Sequence, residues 1–392
     1  MTTPAPAVPR GLIPLLSAAN FAIGMGAFLV IGALTPIAGG LSLSPEGAGW
    51  ILTVYALSYA VLSPLLVAST GRIGRRTVLV AGLGTFAIAA VASALAPSLA
   101  ALLGARVLAA AGAGLTTPVG AAIAAALAPP EARGRTLALV FLGLTVAQVV
   151  GVPFGSWVAY TFGWRAAFWI VAVLAGACAL AAWRIVPAGL RFQPVRMADL
   201  GAVLADRRLV FAILFTATYL AAIYVPFTYL APLLEATVGL GRDGVTAMLV
   251  VAGLGAVAGN LAGGALADRL GPVQTLILLA AAQVAAMPML SSLPLPLGWV
   301  ALLILGWNAA GYAFNSGQQV RIVGLAGPRA PVALSLHAAS IYLGAAIGAA
   351  AGGWVIAGYG LRGLGVAGGL AAVLALAHIV ASHRLDGRSV RP

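Results

Sequence analysis

The chain contains no lysine, one cysteine, three histidines and only eight acidic residues among 392. Without lysine there is no G-K-[ST] phosphate loop, no Schiff-base amine and no lysine-based nucleotide site, so a pump with its own ATP-driven motor is excluded. The lone Cys178 sits in an apolar run. It excludes an intramolecular disulfide, a cysteine-based zinc site and an iron–sulfur centre. Charge of either sign is scarce, at 7% of residues, where a soluble globular chain carries about 25%. What fills the space is 62% hydrophobic residues and 50 glycines. Such a composition cannot cover a surface with water-binding groups, and the chain reads as an all-α polytopic membrane protein.

A hydrocarbon core of about 30 Å takes roughly 20 apolar residues to cross as a helix. Twelve stretches qualify: 12–37, 49–69, 77–96, 100–127, 136–160, 165–186, 209–234, 245–267, 273–291, 298–322, 331–357 and 361–382. The one long polar connection, 187–208, divides a first six-span bundle (1–186) from a second (209–392). Arg10 followed by an apolar run has the look of a signal peptide, but the long first segment and eleven further spans predict an uncleaved first helix. The arginines set the orientation. With the N-terminus cytoplasmic, sixteen of the 21 fall on the cytoplasmic side, among them Arg191, Arg196, Arg388 and Arg391; Arg165, Arg242 and Arg362 fall opposite, and Arg106 and Arg321 lie within spans. Both termini are therefore expected in the cytoplasm, and the net charge of +13 is membrane topology rather than a nucleic-acid surface.

The chain repeats itself. Gly71-Arg72-Ile73-Gly74-Arg75-Arg76 after span 2 matches Asp268-Arg269-Leu270-Gly271-Pro272 after span 8 at an offset of 197 residues. The same offset relates Gly155-Ser156-Trp157 to Gly352-Gly353-Trp354, and Glu46-Gly47 to Asp243-Gly244. Matches at one spacing and one place in the topology indicate a duplicated six-helix unit. Six is even, so the repeats run parallel about an axis normal to the membrane, with a cavity expected between them near mid-membrane.

These residues resemble the major facilitator superfamily, in its twelve-span drug and sugar efflux branch, over essentially the whole chain. The first-half loop is similar to the family's G-x-L-x-D-R-x-G-R-R signature, and Gly151-x-Pro153-x-Gly155 to its antiporter motif. Arg106 with Gly112 and Gly114 resembles the helix-4 arginine motif, and Thr228-Tyr229-Leu230-Ala231-Pro232 the branch's helix 7. The resemblance implies alternating access between two six-helix pseudo-repeats around a central cavity, coupled to protons by antiport. Two departures stand out. The signature aspartate is Gly71 here, and the stretch of helix 1 where related efflux proteins often carry an acid reads Gly24-Met25-Gly26-Ala27-Phe28.

Candidate functional residues follow from depth and chemistry. Arg72, Gly74, Arg75 and Arg76, with Asp268, Arg269 and Gly271, read as inner-face gating elements; topology determinants beside anionic lipid are the plainer reading. Gly151, Pro153 and Gly155 predict a bend at the rim of the cavity, since a mid-helix proline removes a backbone hydrogen bond. Arg106 lies within a span, which costs about 2.5–3.5 kcal/mol on insertion scales. It has no carboxylate at its depth, so a substrate group, a carbonyl or a polar side chain must satisfy it. His337 and Arg106 are the candidate proton-coupling groups. Asn20, Phe28, Tyr55, Tyr59 and Gln148 from the first half, and Tyr224, Tyr229, Trp307, Asn308, Asn315 and Tyr342 from the second, sketch a mostly neutral, aromatic-walled cavity. The runs around Gly24 and Gly344–Gly353 read as packing faces.

The expectation is a secondary transporter, not an enzyme, that exports a neutral or anionic drug, sugar or metabolite across a bacterial inner membrane. An importer or an uncoupled facilitator of the same solutes stays open. The expected partners are a small-molecule substrate, protons and the lipid bilayer; no metal, cofactor or nucleic acid is expected, and the chain is expected to act as a monomer.

Overall fold

A computed structural model describes residues 9–129, 132–190 and 197–387; Arg191, Arg196, Arg388 and Arg391 lie outside the described residues. The first six spans are α1 (Leu12–Gly40), α2 (Pro45–Ser69), α3 (Arg75–Leu95), α4 (Leu99–Leu127), α5 (Arg133–Phe162) and α6 (Trp164–Ile185). A short linker helix, Met197–Ala205, follows. The second six are α7 (Arg207–Val238), α8 (Arg242–Leu270), α9 (Pro272–Ser292), α10 (Leu297–Ala326), α11 (Ala330–Tyr359) and α12 (Gly363–Gly387). α10 and α11 join through a 3₁₀ turn at Gly327–Arg329 into one helical run of 63 residues. At 1.5 Å per residue such a run is about three times too long for one crossing, so it makes two, and the spans number twelve.

The duplication is visible in the elements. α2 and α8 begin at Pro45 and Arg242, α3 and α9 at Arg75 and Pro272, α5 and α11 at Arg133 and Ala330, each pair 197 residues apart. Packing follows the same rule: α1 lies on α5 and α6 as α7 lies on α11 and α12, and α2 lies on α4 as α8 lies on α10. The halves meet along two seams, α2 against α11 and α5 against α8.

Within hydrocarbon, helices gain little from apolar contact with one another, so close backbone approach matters more. α8 supplies it with Gly255, Gly259 and Gly263, one turn apart, each seated against a backbone carbonyl of α10 (Leu305, Ala309 and Ala313). α11 does the same against α7: Gly344, Gly348 and Gly352 face the carbonyls of Ala217, Ala221 and Val225. A methyl group at Gly344 or Gly352 would stand 2.6 Å from the opposing oxygen. Gly344–Gly353 is thus a packing face, as its composition indicated.

One boundary differs with consequence. Span 7 reaches Val238 rather than residue 234, which brings Glu235 into the last turn of α7. A charged residue stops a hydropathy window, but a carboxylate with hydrogen-bond partners need not stop a helix.

The glycine seam makes a specific prediction. Gly259→Ala pushes a methyl group into the Ala309 carbonyl and is expected to cost about 1–3 kcal/mol, the range for overpacking, lowering the melting temperature of detergent-purified protein. Gly264→Ala, which meets nothing within 4 Å, should leave it unchanged.

Candidate functional site

The site is built on mid-helix residues of five helices from both halves. In α5, Pro153 has no N–H to return to the preceding turn, and the helix answers with a π-turn at Ala147–Gly151. The sequence predicts a bend here; the structure places a widened turn. Gln148 lies in that turn and lines a small cavity together with Phe28 (α1), Phe227 (α7), Gly253 (α8), and Asn308 and Tyr312 (α10). Gly151 and Gly155 face away from the cavity and pack on Met25 and Leu29 of α1. None of the lining residues is charged.

Asn308 is the chemically sharpest of them. Its Nδ2 donates to the Ile304 carbonyl of its own helix at 2.9 Å, while its buried Oδ1 has no partner among the described residues. A buried unpaired acceptor costs about 1–3 kcal/mol, which a donor on a bound solute would recover. Trp307 stands behind the cavity, edge-on to Phe227 at 5.9 Å between centroids. Tyr224 pairs its hydroxyl with that of Tyr312.

Next to the cavity, rings from both halves form one group. Tyr342 of α11 stacks on Tyr59 of α2 with centroids 3.7 Å apart, lies parallel to Phe28 at 6.3 Å and meets Tyr55 edge-on at 6.2 Å. Arg106 stands behind this group and is absent from the residues lining the cavity. It is 1% exposed. Its guanidinium lies 4.4 Å from the centre of the Tyr55 ring and 5.8 Å from that of Phe168, and Nη2 donates to the Ala27 carbonyl at 3.2 Å. A desolvated cation–π contact contributes about 2 kcal/mol, so two rings and a carbonyl match the burial cost without a carboxylate. Arg106 therefore holds Tyr55, and through it the aromatic wall.

The other candidates divide. His337 and Asn315 belong to a buried chain on α7, α10 and α11. His337 Nε2 lies 3.3 Å from Asn315 Oδ1, and Nδ1 lies 2.9 Å from the Thr216 hydroxyl, which accepts from Gln318 Nε2 at 3.0 Å. An amide oxygen only accepts, so this network assigns the imidazole proton to Nε2 and makes Thr216 the donor to Nδ1. Asn20 ties α1 to α5 and α4: its Nδ2 donates to the Val140 carbonyl, and its Oδ1 accepts from Thr117, both at 3.0 Å. Tyr229 lies outside the cavity, its hydroxyl donating to the Ala349 carbonyl at 2.8 Å.

The gating candidates lie at the side of the chain ends. Gly271 has φ +81°, a left-handed conformation suited to glycine, and makes the turn from α8 to α9. Gly74 starts α3. The Arg75 N–H donates to the Leu190 carbonyl at 2.9 Å and its Nη2 to Gly71 at 3.2 Å, while Arg76 lies 4.5 Å over the Trp183 ring. Arg72, Asp268 and Arg269 are exposed, and neither Asp268 nor Arg269 bonds to another described residue. At the opposite side the halves are joined: Thr35 and Tyr160 donate to Glu235, and Arg242 Nη1 donates to Thr161 at 3.3 Å.

Three residues escaped the sequence reading. Tyr312 is one turn from Asn308 on the same face, so helical spacing would have found it. Phe227 adjoins the Thr228–Pro232 motif. Glu235 fell just past the end of a predicted span.

Comparison with known proteins agrees with this geometry. The family model described as Major Facilitator Superfamily matches residues 16–329. An Escherichia coli (strain K12) protein named inner membrane transport protein YdhP is 32% identical over 383 residues, covering 96% of this chain and 97% of that one. A chloramphenicol resistance protein of Streptomyces lividans is 34% identical over 341 residues, 85% of this chain and 86% of its own. Among solved structures, a bacterial homologue of the human lysosomal transporter Spinster, described as inward-facing and occupied, superposes with a TM-score of 0.75 at 19% identity, covering 98% of each chain. The chain is a multi-pass membrane protein of the Major Facilitator Superfamily, a transporter of a small molecule and not an enzyme.

Proposed function

We propose that the protein exports a small neutral or anionic organic solute from the cytoplasm of a bacterial cell by alternating access, in exchange for protons. The observation that carries this reading is the uncharged cavity between the two halves, at the middle of their helices, with the hydrogen bonds of Glu235 and Arg242 joining the halves on the side away from the chain ends. The arginine excess on the chain-end side supports a cytoplasmic location for that side in the inner membrane. A cavity without a carboxylate suits a neutral or anionic solute better than a cationic drug, and the chloramphenicol resistance protein among the relatives supports efflux and a neutral aromatic first candidate. The chain acts as a monomer, and its two bundles, 1–186 and 209–392, rock about the α2–α11 and α5–α8 seams.

The test is uptake of chloramphenicol into everted membrane vesicles. Saturable uptake that collapses on adding a protonophore supports export by antiport; uptake only into right-side-out vesicles makes the protein an importer. Asn308→Ala removes one hydrogen bond of about 1 kcal/mol, so KM is expected to rise roughly fivefold with little change in kcat. Arg106→Ala lets the Tyr55 ring move and is expected to abolish transport. The neutral His337 in its chain of donors and acceptors is the proposed proton carrier. His337→Gln should keep solute counterflow while losing accumulation driven by a pH gradient; loss of both would make the residue structural.

A further inference from the structure

Among the described acidic side chains, Glu235 is the one that ties three helices together across the boundary between the halves. It lies one turn from the end of α7 and is half-buried. Its Oε2 accepts from Thr35 Oγ1 of α1 at 2.7 Å, and its Oε1 accepts from the Tyr160 hydroxyl of α5. Both donors belong to the first half and the acceptor to the second, so the outer ends cannot part without breaking both bonds. No arginine pairs with Glu235 among the described residues. Arg242, on the neighbouring seam, is engaged with Asp243 at 2.7 Å and with Thr161. The other titratable groups at this end are Tyr160 itself, Tyr229, which is bonded to Ala349, Glu46 at the start of α2, Arg165, whose Nη2 donates to the Ala96 carbonyl, and the exposed Tyr359 and Arg362 at the α11–α12 turn. α1 contributes no titratable side chain here.

We propose that Glu235 is the outer gate latch of the transport cycle: as a carboxylate it holds the far side shut, and protonation from that side releases it. The proposal rests on alternating access but concerns a residue remote from the solute cavity. A hydroxyl donating to a carboxylate is roughly twice as strong as one donating to a neutral oxygen. A protonated acid keeps one good acceptor oxygen and turns the other into a donor, so one of the two hydroxyls must reverse and both bonds lose their charge assistance. Protonation therefore weakens both ties between the halves, and acid on that side is expected to favour opening.

The experiment reads the distance between the outer ends directly. Spin labels are placed at Gly39→Cys, at the end of α1, and at Gly298→Cys, at the start of α10, where an added side chain meets nothing within 4 Å. The background is Cys178→Ala, which removes the single native thiol. Double electron–electron resonance in lipid nanodiscs then compares mildly alkaline with acidic buffer. The labelled parent should gain a longer-distance population in acid. Glu235→Gln should carry that population in both buffers, with the closed-to-open ratio lowered roughly tenfold, the scale of one charge-assisted hydrogen bond. Thr35→Val with Tyr160→Phe should act in the same direction and also lose the acid response. An acid response that persists in Glu235→Gln, or a Glu235→Gln distribution identical to the parent's, overturns the latch. Gly49→Leu separates the two possible failures, because its side chain collides with the Tyr229 hydroxyl and wedges α2 from α7 by sterics alone. If it lengthens the distance while Glu235→Gln does not, the latch alone falls. If no variant moves the labels, alternating access falls with it.

Discussion

Lipid tails are as apolar as leucine, so nothing pulls one membrane helix towards another for the sake of hiding from water. Everything in this molecule depends on that constraint. Helices that must stay together have been given glycines one turn apart, letting backbone meet backbone along α8–α10 and α7–α11. Across the boundary between the halves the contacts also include groups of another kind. At the far end of the inter-half boundary these are a few hydroxyl, carboxylate and guanidinium contacts, and at mid-membrane they are stacked rings.

The same constraint explains how so few acids suffice. A buried arginine ordinarily calls for a carboxylate, but Arg106 is accommodated by the faces of Tyr55 and Phe168 and the oxygen of Ala27. No negative charge has to be placed next to the cavity to balance it. The carboxylate that joins the halves, Glu235, stands instead at the end of the boundary away from the chain ends.

Most of the fold was legible because hydrocarbon thickness imposes one length on every span and topology imposes one side on most arginines. The repeat offset was legible as well, and the helix starts at Arg75 and Pro272 repeat it. The cavity was legible in depth but not in direction. Mid-span polar and aromatic residues were found, yet Phe28, Gln148 and Asn308 line the cavity while Arg106 and Asn20 face into the first bundle. A helix apolar on all sides carries little record of its rotation about its own axis. Glu235 was missed for the opposite reason: a hydropathy window reads any charge as an end, whereas here the partners that make the charge tolerable come from residues 200 and 75 positions away in the chain.

The π-turn of α5 gives this duplicated protein its asymmetry. Its counterpart, α11, has the same length and keeps the same register, yet runs as unbroken α-helix through the equivalent stretch. One copy of the ancestral unit therefore brings an amide to mid-membrane from a widened turn; the other brings the flat ring of Tyr342 from a regular one. The two halves of a pseudo-twofold scaffold thus present a polar group on one side of the boundary and an aromatic one on the other.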